Sequence, residues 1–293
     1  MSYRTSLSAV LAESVAPAAE LAAGRGRFPR GAVSALGRAG LLGLTVAQEY
    51  GGAGLGLSAA LDVVGRTARV CPATAAVLAS HFAAVAAVES CGGSWVRGEI
   101  AAGRHLVSLA LDEDPYEATC DTAYELPCDT TYERPYDTTC VRPYETTYGR
   151  RPRSVAARFA DVVALRGRKR RVVAAGEADS YLWSSRPLDG RDGMTLWVVP
   201  AQAPDLFVPA RPGGGGPPGS AASTLHADPV LVPADVMLGR DGGGAEVLRR
   251  SAWPWLLELR SASGGLKSAD EGPKSADGGP ESADTGLRPA PAA

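Results

Sequence analysis

The chain has no asparagine, only three lysines (Lys169, Lys267 and Lys274), three histidines and four phenylalanines among its 293 residues. Arginine, alanine, glycine and proline are abundant instead, which marks a GC-rich coding sequence rather than a function. Few lysines and a net charge of −2 leave no broad basic surface, so neither nucleic acid nor a membrane surface is expected as a partner. A long uncharged apolar run is also missing. The best candidate, residues 73–88, is short, rich in alanine and interrupted by His81, whereas a spanning helix needs about 20 strongly apolar residues. It reads as a buried helix. Residues 1–24 carry Arg4, Glu13 and Glu20, so they lack the apolar centre of a secretory leader, and the expected location is cytoplasmic. The five cysteines (Cys71, Cys91, Cys120, Cys128 and Cys140) are odd in number and show no paired spacing, which argues against a disulfide framework. His81, His105 and His226 stand apart from cysteines and carboxylates, so no metal site is expected. A Cys–His nucleophile pair stays open at this point, without local context to support it.

What is present is unevenly distributed. Hydrophobic residues make up 45% of the chain and concentrate in 1–113 and 154–258, enough for two cores. Residues 6–103 read as helices: Leu7, Val10, Leu11, Val15 and Ala18 share one helical face, and Val33, Leu36, Leu41 and Leu42 continue the pattern after Pro29. Ser58 is a candidate N-cap for a helix to about Val70, and Pro72 suits the first turn of the next helix, to about Ser90. A short fourth helix is expected over 95–102. From Leu106 the character changes to short apolar runs punctuated by Gly, Pro and Asp: 106–111, 160–165, 171–175, 181–184, 194–199, 206–208, 223–227 and 230–232. That pattern predicts an antiparallel barrel or sandwich. The fold class expected is therefore α+β, an all-helical domain at 5–105 followed by a β domain at 106–240, then a helix remnant at 241–258.

Two tandem repeats interrupt this plan. From Cys120 the chain repeats every eight residues (CDTAYELP, CDTTYERP, YDTTCVRP, YETTYGRR), with Tyr and Cys exchanging at matching positions. From Leu259 a seven-residue unit follows (LRSASGG, LKSADEG, PKSADGG, PESADTG), without the paired apolar positions of a coiled coil. Gly and Pro that frequent oppose a stable helix. Residues 114–153 and 259–293 are expected to be a disordered insertion and a disordered tail.

The glycine loop 51–56 (GGAGLG) invites a dinucleotide reading, since Gly54, Gly56 and Ala59 fit G-x-G-x-x-A before a helix. A ribose-binding acid about 20 residues further on is missing, and helices rather than a strand precede the loop. A packing turn between helices fits better. The basic run 166–171 (RGRKRR) has no interleaved aromatics and reads as a turn between two strands, bent at Gly167 with its cations solvated.

With Phe28-Pro29, the stretch 40–57 (GLLGLTVAQEYGGAGLGL) and 167–179 (GRKRRVVAAGEAD), the chain resembles the first two domains of the acyl-CoA dehydrogenases. The resemblance fades near Gly265, before most of that family's C-terminal helical domain. It implies FAD as cofactor, an acyl-CoA thioester as substrate and an electron-transfer flavoprotein as redox partner. In that family a glutamate removes the α proton while the flavin takes the β hydrogen, and the protein supplies base, orientation and exclusion of water.

The resemblance places the flavin against Leu111, Asp112, Glu113, Arg171, Val172 and Val173. The family's T-E-P-x-x-G-S-D segment aligns with Asp112, Glu113 and Asp114, and only Glu113 matches. Its K-x-W-(I/V)-T segment aligns with residues 169–173, where the ring-covering tryptophan becomes Arg171 and the hydroxyl-bearing threonine becomes Val173. Losing a stacking ring and a hydroxyl together removes on the order of a few kcal/mol of flavin affinity. The family's G-x-R-G-S becomes 215–220 (GGPPGS), without its arginine. Scaffold residues match better: 177–181, 194–200 (MTLWVVP), 232–235 and Leu238-Gly239. No catalytic base is evident. Glu258, in 253–260 (WPWLLELR), is a candidate, about a turn away from the aligned base position near Trp255. The expectation is thus a truncated acyl-CoA dehydrogenase-like flavoprotein of weak or absent activity. The alternatives are a non-catalytic binding module or relic, or one subunit of a heteromeric enzyme completed by a second chain.

Overall fold

The computed structural model describes residues 2–113, 151–209 and 215–263. The disorder expected of the insertion and the tail falls almost wholly outside the described residues. Their flanks depart from expectation: Pro152 is buried, and the last helix runs through Ala262, past the expected boundary at 258.

The helical unit begins with α1 (Tyr3–Val10), which passes through a π-helical turn (Leu11–Val15) into α2 (Ala16–Arg25). Leu7, Leu11, Val15 and Ala22 form the buried stripe, close to the periodicity seen in the sequence. Gly26, in the left-handed conformation, stops the helix. Next come α3 (Arg30–Arg38), α4 (Leu57–Ala68), α5 (Pro72–Cys91) and α6 (Ser94–Ala101). The N-cap of α4 is Gly56, not Ser58, which lies inside the helix and makes no capping hydrogen bond. Pro72 does occupy the first turn of α5. Two helical stretches, Tyr3–Arg25 and Pro72–Cys91, are long and apolar enough to cross a membrane by length and composition. The second is the core helix: most of it is buried inside the fold, against α4 and the first strand. Its many alanines let neighbours approach from every side.

The glycine loop is a packing turn. Gly51 and Gly54 take positive φ (91° and 65°), and a Cβ on Gly52 would sit 2.1 Å from the Val46 carbonyl oxygen.

After α6 the described residues build two four-stranded sheets. One has the order β1 (Val107–Ala110), β4 (Ser180–Ser185), β5 (Thr195–Pro200), β8 (Met237–Leu238); the other runs β2 (Val155–Phe159), β3 (Val162–Val172), β7 (Ser223–Pro233), β6 (Leu206–Phe207). The α+β class stands, with three corrections. The β1–β4 pairing is parallel (Val107 opposite Ser180), because β1 arrives from the helical unit rather than from a hairpin. The expected strand at 160–165 continues through the basic run to Val172 as one strand, β3, so the basic run is no turn, while 173–175 of the second expected strand form a turn. The register shifts opposite Gly167, where β7 carries the extra residue, without ending β3. The runs at 223–227 and 230–232 likewise merge into β7. Helices α7 (Gly244–Arg250) and α8 (Ala252–Ala262) follow, and α8 packs back on α4 and α5.

Candidate functional site

Strand β1 joins the two units, and each of its ends is held differently. On the edge away from β4, its donors face α5. The Val107 N–H donates to His81 Nδ1 at 3.2 Å, and the Leu109 N–H donates to Ser80 Oγ at 3.0 Å. His81 Nε2 donates in turn to the Leu42 carbonyl at 3.0 Å. Ser108 Oγ donates to the Val173 carbonyl at 2.6 Å, which ties β1 to the stretch after β3. His81 is fully buried, and burial pushes its pKa down to about 4 against the pull of its Leu42 and Val107 carbonyl contacts, so the ring is neutral.

The other end of β1 opens into charge. Leu111 is buried in an apolar cluster with Ala87, Leu182 and Met194. The Asp112 carbonyl accepts the Arg170 N–H at 2.8 Å, and its carboxylate accepts Arg171 Nε at 2.6 Å. Glu113 is held by Lys169 Nζ, by Ser154 Oγ at 2.6 Å, by the Ser154 N–H at 3.2 Å and by the Arg153 N–H. Lys169 is fully buried and also donates to the Ser184 carbonyl (2.7 Å) and hydroxyl (2.8 Å), with its ammonium 5.0 Å from the Trp183 ring centroid. Burial alone would push the Glu113 carboxyl up. The Lys169 charge and the converging donors outweigh it and hold the group below its ordinary value. Burial lowers the Lys169 ammonium while Glu113 pulls it back.

Arg171 sits where β3 carries one extra residue against β7, between Lys169 and Val172, and adopts φ 50°. Its side chain is 57% exposed and reaches Asp112 across the mouth. Val172 is buried, and Val173 is partly buried with its carbonyl taken by Ser108. Ala174, also at positive φ (55°), is steadied by Tyr181, whose hydroxyl accepts the Gly176 N–H at 2.7 Å and donates to the Ala174 carbonyl at 3.2 Å.

Of the six residues expected at the cofactor, Asp112 and Arg171 are in direct contact, Glu113 is held by Lys169, Val173 is tied to β1 through Ser108, and Leu111 and Val172 are buried in separate apolar clusters. Glu258 does not join them. Arg260 of α8 is the residue whose charge couples to Asp112; burial lowers its guanidinium pKa and Asp112 partly restores it. Glu258, two positions earlier, points about 200° away around the helix and is exposed. Sequence reasoning missed Lys169, Ser154 and Arg260. A signal for the first was available: Lys169 is the only lysine before residue 267 in a chain that otherwise uses arginine. No group of three or more His, Cys, Asp or Glu able to hold a metal occurs among the described residues.

A planar, uncharged ring laid on this mouth needs an apolar face and a hydroxyl donor. The side chains present are a cation tied to a carboxylate (Arg171–Asp112) and a valine at 173. The charged pair and the valine do not fit such a ring.

Residues 2–99 match the family model described as acyl-CoA dehydrogenase, N-terminal domain. An acyl-CoA dehydrogenase of Bacillus subtilis (strain 168) is 24% identical over 240 residues, covering 80% of this chain and 56% of that protein. Among solved structures, butyryl-CoA dehydrogenase from Megasphaera elsdenii superposes with a TM-score of 0.69 at 18% identity, over 89% of this chain and 62% of that one. Glutaryl-CoA dehydrogenase from Mycobacterium smegmatis gives 0.65 at 20% identity, over 89% and 59%. The chain thus spans about three fifths of the length of the relatives it matches.

Proposed function

We propose that this chain carries the N-terminal helical and middle β domains of the acyl-CoA dehydrogenase family and is a flavin-poor scaffold of it, which does not by itself dehydrogenate acyl-CoA. The match of 2–99 to the family's N-terminal domain and the likeness to its solved structures support this reading. The domain limits proposed are 5–105 and 106–240, with α7 and α8 as the start of a further helical part. FAD, an acyl-CoA thioester and an electron-transfer flavoprotein are the ligands and partner the family suggests, and the expected location is cytoplasmic. FAD, when bound in relatives of this type, supplies the hydride acceptor. In this chain the Arg171–Asp112 ion pair carries the reading, because it occupies the mouth with charge where the family presents a stacking ring. The base is the second element in question. Glu258 is solvent-facing, and a positioned base contributes about 10²–10⁴-fold on its own.

The decisive measurement is the visible spectrum of the purified chain, followed by FAD titration and dye reduction with a panel of saturated acyl-CoAs. A colourless protein without turnover is the expected result. Turnover abolished by Glu258→Ala would overturn the proposal and make Glu258 the base. A second reading is a subunit that a complementing chain completes. The half-exposed Leu257 on α8, beside partly buried Trp253 and Trp255, favours further helical packing there. Co-purification of a chain that restores flavin binding would separate the two readings.

A further inference from the structure

Away from the mouth, a cleft of about 360 Å³ lies between α3 and the stretches 103–106 and 177–179. At the start of α3, Arg30 pairs with Glu177; at its end, Gly37 abuts Gly103 so closely that a Cβ there would sit 2.3 Å from the Gly103 carbonyl oxygen. The helical rise between those two contacts makes the cleft about 10 Å long.

Most charges around it are committed. Arg30 has Glu177, and Arg104 grips Glu99 through Nε (3.0 Å) and Nη2 (2.6 Å). His105 is committed too: its Nε2 is 2.7 Å from Ser180 Oγ, and burial holds its pKa below the ordinary value against the pull of Asp179 and Glu99. Two charges remain. Arg38, exposed on α3, has neither an ion-pair nor a hydrogen-bond partner among the described residues, and Ser34, one helical turn earlier, is likewise free. Asp179 uses only Oδ2, which accepts the Leu106 N–H at 2.7 Å, and leaves Oδ1 without a partner. Between them Phe28, Val33, Leu42 and Leu106 supply apolar lining.

A simple anion entering here would meet Asp179, and a simple cation would meet Arg38. A molecule carrying both charges satisfies both and can lay an apolar group on the floor. We propose that this cleft binds a small zwitterion of the amino-acid class, with its carboxylate on Arg38 and Ser34 and its ammonium on Asp179. The site is independent of the flavin mouth.

The test uses the full chain, with leucine as probe, isocaproate as the carboxylate-only control and isoamylamine as the ammonium-only control. Binding is read by calorimetry and by ligand-observed NMR. Leucine should bind saturably and each control about tenfold more weakly or worse. Arg38→Ala, at an exposed position, should weaken leucine by about tenfold or more while leaving the melting temperature unchanged. Asp179→Asn keeps an oxygen for the Leu106 N–H and should do the same. Absence of saturable binding by leucine, alanine and phenylalanine up to about 10 mM would overturn the proposal. So would isocaproate binding as tightly as leucine, or leucine binding unchanged in both variants.

Discussion

The two ends of β1 are built on opposite principles. Where the strand starts, its donors are met by neutral, buried side chains of α5, His81 and Ser80. Where it finishes, charge meets charge: Asp112 with Arg171, and Glu113 with Lys169. The first end is a seam that tolerates no proton; at the second, the outer pair joins Arg171, which is more than half exposed, to an Asp112 that is largely buried. Stability therefore resides in the seam and in the inner pair, while Arg171, more than half exposed, is the member that can change at least cost to the fold.

The sharpest way to break this division is Lys169→Ala. It strands Glu113 in a largely buried place and should cost about 3–5 kcal/mol in denaturant unfolding. Replacing both partners, as Lys169→Met with Glu113→Gln, should recover most of that loss. If Lys169→Ala proves harmless, the inner pair belongs with the outer one.

Acid should attack the seam next. Folded His81 has its pKa at about 4 against an ordinary value near 6.5, so between these the unfolded chain takes up a proton that the folded chain refuses. Stability should fall by about 3 kcal/mol as pH drops through that window, then level off for this group below it. Chemical denaturation at a series of pH values reads the slope. His81→Gln, which keeps a donor and an acceptor but cannot titrate there, should flatten it.

At the mouth, Arg171→Trp with Val173→Thr should raise FAD affinity about tenfold, or about 1.4 kcal/mol, by restoring a stacking face and a hydroxyl. Fluorescence titration measures it. No gain would mean that the altered loop after Glu113, not these two side chains, limits affinity. The smallest effect expected is Arg171→Ala, about 1 kcal/mol in stability, because the guanidinium lies largely in water while the buried Asp112 keeps the nearby charge of Arg260. A larger loss would erase the contrast between the two ends.

How much of this could be read beforehand follows the same division. Periodicity located the helices, since Leu7, Leu11 and Val15 repeat at helical spacing and are buried. Composition located the change to strands at Leu106. Residues 111–113 and 171–173 were brought to one place by resemblance alone, because nothing local in either segment encodes the other. The basic run misled for a physical reason: five cations in six residues suggest solvent, yet Lys169 points inward because β3 alternates and Glu113 waits on the inner side. Gly167 suggested a turn, but inside β3 its missing side chain leaves room for Ser154, whose Oγ would lie 2.2 Å from a Cβ there. His81 looked like an interruption of an apolar run, since its partners on Leu42 and Val107 lie 39 and 26 residues away in sequence.

The parallel register of β1 also bears on the rate at which the protein assembles. Within 2–106 the helices meet over separations such as the 39 residues between Leu42 and His81, but β1 must wait for β4, and the Leu106 N–H finds the Asp179 carboxylate 73 residues later. Closing so long a loop adds only logarithmically to the entropy, yet contacts of this order slow folding steeply. The helices can therefore collapse early around α5 with β1 attached and one strand edge unsatisfied. The sheet of β4 and β5 then docks on that waiting edge, so the final step of folding is the meeting of two preformed halves, and a cut between Glu113 and Arg151 should leave fragments able to find each other again.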